Sequence, residues 1–302
     1  MPDPRPRDHA VLIHQPRYLN PSNAHPAMST HTLVIEPGLA ERHYWRDLWR
    51  YRELFFVLAW RDVAVRYKQT VIGLAWALLQ PLFTMVVFTV IFGTLAKMPT
   101  EGNAPYALMV YAGLLPWQFF STSLSSASQS LIGNANLISK VYFPRLIVPT
   151  SAVVVSFIDF LISFAILVLL MVWYRFQPGW PILTLPFFVL MAFLAALGPG
   201  LWITALNVKY RDFRYVIPFI VTMGLYLSPV GFSSTVIPEQ WRLLYSINPM
   251  VGVIDGFRWA ILGGAANLYW PGFLLSWGLI AFFLWLGIRQ FRRMEKSFAD
   301  LI

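Results

Sequence analysis

The chain has 302 residues, 57% of them hydrophobic and 12% charged, with a mean hydropathy of +0.58. That composition excludes an ordinary soluble domain, in which about a quarter of the residues carry charge. A net charge of +9 invites a nucleic-acid reading, but the cations gather at the ends of apolar segments, where membrane topology accounts for them and no nucleic acid is needed. The absence of cysteine excludes disulfides, thiolate metal sites and a cysteine nucleophile.

Residues 1–37 carry seven prolines and no continuous apolar core, which predicts a disordered cytoplasmic tail without the apolar stretch of a signal peptide. Met28 stands as an alternative start. Residues 38–69 read as an amphipathic helix lying in the membrane interface. Trp45, Leu48, Trp49, Phe56, Ala59, Trp60, Val63 and Tyr67 recur at helical spacing among Arg46, Arg50, Arg52, Arg61, Arg66 and Lys68. Two readings stay open for it: an anchor to membrane lipids, or a platform for a cytoplasmic partner.

Residues 70–290 form the predicted transmembrane domain. Gln69 to Ala96 is 28 residues without a charge, and about 20 apolar residues suffice to cross a bilayer as a helix. The fold class is therefore all-α integral membrane, with six spans: Val71–Leu95, Tyr106–Ser128, Ile147–Tyr174, Ile182–Val208, Val216–Phe232 and Gly272–Ile288. Ile247–Gly264, apolar but broken by Asp255 and Arg258, reads as a re-entrant hairpin between the fifth and sixth. Residues 291–302 are a cytoplasmic tail. With the amino terminus inside, nineteen of the 23 Lys and Arg fall on the cytoplasmic side. Only Lys97, Arg175, Arg242 and Arg258 fall outside, so both termini are expected in the cytoplasm.

The absences bound the chemistry. All five histidines precede the first span, and Asp159 is the one acidic residue well inside a span. Proton relays, metal centres and sugar-transfer sites run on such groups, so no catalytic residue and no metal site is predicted. No lysine follows a glycine, so the chain lacks a P-loop and any cofactor of its own. A passive channel is disfavoured by the aromatic rather than charged character of the spans.

Five stretches then occur in order: RDVAVRYKQTVIGLAWALLQPLF (Arg61–Phe83), YAGLLPWQFFSTSL (Tyr111–Leu124), NANLISKVYFPRLIVP (Asn134–Pro149), NVKYRDFRYVIPF (Asn207–Phe219) and INPMVGVIDGFRWAILG (Ile247–Gly263). Over roughly residues 40–290 the chain resembles the permease subunits of type-2 ABC exporters of lipid-linked polysaccharide (O-antigen, capsule and teichoic-acid precursors). The resemblance implies a bacterial inner-membrane homodimer with two copies of a separate ATP-binding subunit, which carries the ATP and magnesium. Its cargo would be a glycan on undecaprenyl diphosphate, moved from cytoplasm to periplasm. A type-2 permease for a drug, haem or small lipid is the alternative.

By the same resemblance the 134–145 loop is a coupling helix that docks into the ATPase, with Asn136, Lys140, Tyr142 and Arg145 as contacts; the plainer reading is a loop whose cations fix topology. Arg61, Arg66 and Lys68 are candidates for the lipid diphosphate at the cytoplasmic mouth, against ordinary headgroup contact. Tyr111, Trp117, Phe119 and Phe120, with Asp159, are candidates for the translocation path, because sugar C–H faces stack on rings; the plainer reading is packing. For Asp159 a hydrogen bond that ties spans together is the first reading and the path the second. Asp255 and Arg258 are expected to pair and hold the re-entrant segment.

Overall fold

The computed structural model describes residues 44–68, 71–210, 212–264 and 268–298. The expected tail at 1–37, with Met28 and the histidines, lies outside the described residues, as does the end of the chain from 299.

Among the described residues every regular element is helical. Two helices, α1 (Tyr44–Arg50) and α2 (Arg52–Lys68), precede the bundle. Helix α3 (Val71–Phe88) continues through a π-helical stretch, Thr89–Leu95. Then come α4 (Tyr106–Gly133), the short α5 (Ala135–Lys140) and α6 (Ile147–Trp173). A 3₁₀ turn, Trp180–Thr184, leads into α7 (Leu185–Lys209), followed by α8 (Phe213–Leu227). Helices α9 (Glu239–Tyr245), α10 (Pro249–Ile261) and α11 (Trp270–Glu295) complete the chain.

Four segments are long and apolar enough to cross a membrane: Leu78–Leu95, Ile147–Trp173, Trp180–Lys209 and Trp270–Glu295. They coincide with the first, third, fourth and sixth expected spans. The other two differ for physical reasons. Helix α4 has 28 residues, ample length, but six serines between Ser121 and Ser130 lower its apolarity. It tolerates them because it is largely enclosed, packed against α6, α7, α10 and α3, so few of its side chains meet lipid. Three of its serine hydroxyls return to its own carbonyls: Ser121 donates to Gln118, Ser128 to Ser125 and Ser130 to Ala127. Helix α8 has 15 residues, about 22 Å of rise, and ends at Leu227 where the expected span runs on to Phe232.

Without a hydrophobic drive between helices in lipid, close backbone approach and interhelical hydrogen bonds hold a bundle together. Helices α7 and α11 touch backbone to backbone: a Cβ on Gly287 would lie 2.2 Å from the Gly198 carbonyl oxygen, and one on Gly198 2.7 Å from the Leu284 amide nitrogen. Helix α7 is stitched to α4 by Thr204, which donates to the Ala127 carbonyl (2.8 Å), and by Asn207, which donates to Ser128 (2.7 Å). Helix α7 runs unbroken through Gly198-Pro199-Gly200, and α4 through Gly113 and Pro116.

Ile247–Gly264 is not a hairpin within itself. It is a single helix, α10, entered from α9 and capped at its start by Asn248, whose side chain accepts from the Met250 amide (3.0 Å). Gly263 and Gly264 (φ +75° and +79°) end it, in a backbone region that side chains resist.

Candidate functional site

The loop between α4 and α6 folds into α5, a helix of a turn and a half held down by one side. Ile138 is buried with Phe143 in a cluster that also takes Leu58 of α2, Leu131 of α4, Val208 of α7 and Phe291 of α11. The opposite side is open: Asn136, Lys140 and Tyr142 are exposed. Burial, then the charge of Asp47, pushes the Tyr142 phenol above its ordinary range, so it stays a neutral hydroxyl. Three of the four expected contacts thus share one accessible surface.

Arg145 does not join them. Its backbone amide donates to the Glu295 carboxylate (2.7 Å) and its guanidinium donates to the Glu295 backbone carbonyl, at the end of α11. Arg145 is half-buried and clasps the loop to the C-terminal helix. Tyr44 of α1 belongs to the same knot. Burial and then the charge of Glu295 hold its phenol well above the usual range, and Arg292 stacks over its ring at 4.7 Å.

Helix α2 packs along α6. Its exposed flank presents Phe56 and Trp60, in register with Trp45 and Trp49 of α1, while Leu58 and Ala59 are buried; Leu48 and Val63, expected on the aromatic face, are half-buried instead. The cations meet different partners. Arg61 donates to Asp62 and to the Asn134 side chain (2.8 Å), where α4 gives way to α5. Arg66 forms an ion pair with Asp159, whose second oxygen accepts from the Tyr67 hydroxyl. Lys68 is exposed. The carboxylate in the third span is therefore answered by α2, not by another span. Asp159 is the thirteenth residue of α6, about 18 Å along the axis from Ile147, so the last turn of α2 reaches the middle of that helix rather than ending at its edge.

The aromatic candidates for the path are core residues. Tyr111 is fully buried and donates to the Ser163 carbonyl (3.1 Å). Phe119 stacks among Phe157, Phe160 and Phe193. Trp117 is buried against α8, where a Cβ on Gly224 would lie 2.5 Å from its ring. Phe120 is half-buried beside it. Tyr111, Trp117 and Phe119 are thus enclosed within their own protomer, as packing residues are.

The expected Asp255–Arg258 ion pair is absent as well. Arg258 is fully buried and spreads its guanidinium over three carbonyls: Met109 (3.2 Å), Phe232 (2.8 Å) and Val230 (2.8 Å). Its acidic partner is Glu101, 3.7 Å away. The pocket exists because Gly113 has no side chain; a Cβ there would stand 2.8 Å from the guanidinium. Asp255 instead lines a small polar cleft with Ser234, Arg242 and Tyr245. Among the described residues no group of three or more histidines and carboxylates could hold a metal.

The comparisons with known proteins fit this frame. Residues 53–262, from the first turn of α2 to just past α10, match the family model described as ABC-2 type transporter. The chain belongs to the ABC-2 type transporter membrane family. Relatives of this family member include the O-antigen export system permease protein RfbA of Myxococcus xanthus, 31% identical over 70% of this chain and 82% of that protein. RfbA of Klebsiella pneumoniae is 26% identical over 83% of this chain and 95% of its own length. The polysialic acid transport protein KpsM of Escherichia coli is 23% identical over 78% and 92%. The family match takes in α5, Asp159 and Arg258 but stops short of α1 and α11, which hold Tyr44 and Glu295. Those two residues, with Glu101 and Asn134, are the partners that sequence reasoning missed. A lone acidic residue flanking a span was the available signal for Glu101 and Glu295; nothing in the local pattern marked Tyr44 or Asn134.

Proposed function

We propose that the chain is the transmembrane subunit of an ATP-driven exporter that moves a polysaccharide on undecaprenyl diphosphate from cytoplasm to periplasm. The observation that carries this reading is the similarity to O-antigen export permeases over 83% of the chain. A homodimer of this subunit works with two copies of an ATP-binding subunit in a bacterial inner membrane. The chain crosses six times, with α4 as an enclosed crossing and α8 as a short one, and both termini are cytoplasmic. The excess of cations on that side supports the orientation. The exposed side of α5, with Asn136, Lys140 and Tyr142, is the docking surface for the ATPase. Arg61, Arg66 and Lys68 serve the diphosphate at the cytoplasmic mouth.

Deleting the gene tests the cargo. Complete polysaccharide on its lipid carrier, accumulating inside the cell, is the expected outcome. Loss of synthesis or an altered sugar pattern points to an enzyme instead, and unchanged surface glycan points to a permease for a drug, haem or small lipid. The purified subunit alone is expected to turn over no ATP, and to support turnover only with its partner.

A further inference from the structure

We propose that the cleft between α9 and α10 is a binding site for a single water molecule, which accepts from the Tyr245 hydroxyl, donates to the Asp255 carboxylate and so fastens α9 to α10. The site is independent of what the protein exports.

Three helices enclose the cleft: Arg242 and Tyr245 come from α9, Asp255 from α10 and Gly272 from α11. Its rim is closely packed. A Cβ on Gly272 would lie 2.2 Å from the Ser246 hydroxyl oxygen, so α11 meets the end of α9 directly. The free space inside is about 20 Å³, room for one water molecule and too little for a sugar ring or a lipid headgroup.

Two polar atoms in this enclosure meet no partner among the described residues. The Oδ1 of Asp255, a residue 8% exposed, and the hydroxyl of Tyr245 are both buried without a hydrogen bond. Burial without a partner is costly for such groups, and folded proteins answer them with protein or with ordered water. The donors nearby are committed elsewhere. Arg242 spends its Nε on the Ile237 carbonyl (3.0 Å) and one terminal nitrogen on the Thr235 carbonyl (3.1 Å). Ser246 donates to the Arg242 carbonyl (2.8 Å), and Arg258 is taken up by its three carbonyls and Glu101.

Charge and hydrogen-bonding capacity then select the ligand. Asp255 and Arg242 line the same space, so a cation would meet the guanidinium and an anion the carboxylate. The ligand is therefore neutral. A carboxylate oxygen only accepts and a phenol hydroxyl donates, so a molecule that accepts from one and donates to the other serves both. Water does this within the space available. The consequence falls on α9. Its outer side is apolar and exposed, with Trp241 at 54% and Leu244 at 56%, so its hold on the bundle comes from beneath. A bridging water is nearly as good as a direct hydrogen bond, and removing either end loosens the helix.

A map of the full chain in lipid nanodiscs, fine enough to resolve ordered water, is expected to show one density within hydrogen-bonding distance of both Tyr245 Oη and Asp255 Oδ1. Tyr245→Phe is expected to lower the unfolding midpoint by roughly 2–4 °C, the shift of one lost hydrogen bond. The same variant is expected to speed hydrogen exchange at the amides of α9 and not at those of α11. Asp255→Asn keeps an acceptor oxygen and is expected to leave both readouts as in the parent. Asp255→Leu removes the acceptor, and adding Tyr245→Phe to it is expected to lower the midpoint no further, because the two side chains hold one water. Should Asp255→Leu fail to fold, the map and Tyr245→Phe decide alone.

A direct hydrogen bond between Tyr245 and Asp255 in that map, or no density between them, overturns the proposal. So does a midpoint that rises with sodium or potassium at constant ionic strength, which would make the ligand a cation. Unchanged exchange across α9 in Tyr245→Phe overturns the fastening of that helix.

Discussion

Arg145 and Glu295 are 150 residues apart in sequence and joined by two hydrogen bonds, one from the Arg145 amide to the carboxylate and one from its guanidinium to the Glu295 carbonyl. Through this clasp the segment that carries α5 is fastened to the end of α11. The segment carrying α5, the start of α6 and the end of α11 are therefore joined.

The clasp separates two roles that charge alone merges. Lys140→Glu alters an exposed side chain and is expected to weaken association with the ATP-binding subunit while leaving the thermal stability of the isolated permease unchanged. Glu295→Ala is expected to do the reverse: it removes the carboxylate that accepts from the Arg145 amide, leaves the backbone carbonyl that accepts from the guanidinium, and costs the permease about 1–3 kcal/mol. Co-purification and thermal unfolding in detergent decide between them. A Glu295→Ala permease with unchanged stability would mean that the carboxylate contributes nothing to the clasp.

Arg258 makes the second prediction. Replacing it with Leu leaves Glu101 and the carbonyls of Met109, Val230 and Phe232 without their donor in a closed pocket. Losing one partner of a buried charge pair typically costs about 3–5 kcal/mol. Arg258→Leu is expected to fold poorly, and adding Glu101→Leu is expected to recover part of the yield. Asp255→Asn, by contrast, is expected to have little effect on stability, because Asp255 makes no ion pair with Arg258. Comparable losses for Asp255→Asn and Arg258→Leu would restore the pairing that spacing suggested.

How far the sequence could be read follows the range of the interactions involved. Long apolar runs identify α3, α6, α7 and α11, because crossing lipid is a demand on nearly every residue of the run. Helix α4 is as free of charge and reads as a span too, but its serines, shielded by other helices, leave it less apolar than the others. The resemblance pointed to Asn136, Lys140 and Tyr142, and the structure leaves all three exposed around a buried Ile138. The partners of Arg145, Arg258 and Asp159 were not legible, because Glu295, Glu101 and Arg66 lie on other elements and no local periodicity encodes who meets whom. Arg258 shows the limit well: three residues separate it from Asp255, a helical spacing that favours contact, yet Gly113 opens a deeper pocket that the side chain takes instead.

The contact between Gly198 and Gly287 predicts a sharp contrast within one helix. Gly287→Ala places a methyl group 2.2 Å from the Gly198 carbonyl oxygen, so α7 and α11 must separate. Overpacking of this kind costs about 1–3 kcal/mol. Gly278→Ala, on the same helix with nothing within 4 Å of the new carbon, is expected to be neutral or slightly stabilising, since alanine favours the helix more than glycine does. Thermal unfolding of the two variants side by side checks this, and equal midpoints would mean that the helices are not in backbone contact.

Trp117 gives the last prediction, and it tests packing against path directly. The indole is buried, and its far edge lies where a side chain on Gly224 of α8 would be. Trp117→Ala therefore opens a void between α4 and α8. In a soluble core such a change costs about 3–5 kcal/mol, but lipid is as apolar as the protein interior, so only the lost packing counts and roughly 1–3 kcal/mol is expected. Refilling the gap from the other side, with Gly224→Leu in the Trp117→Ala background, is expected to regain part of that loss. Gly224→Leu alone should destabilise, because the ring already occupies the space. The two changes are in contact and so should not add, which a double-mutant cycle on thermal stability measures. A packing residue gives stability loss, partial rescue, and export that recovers with stability. A ring that touched the cargo would give normal stability and lost export, with no rescue from α8.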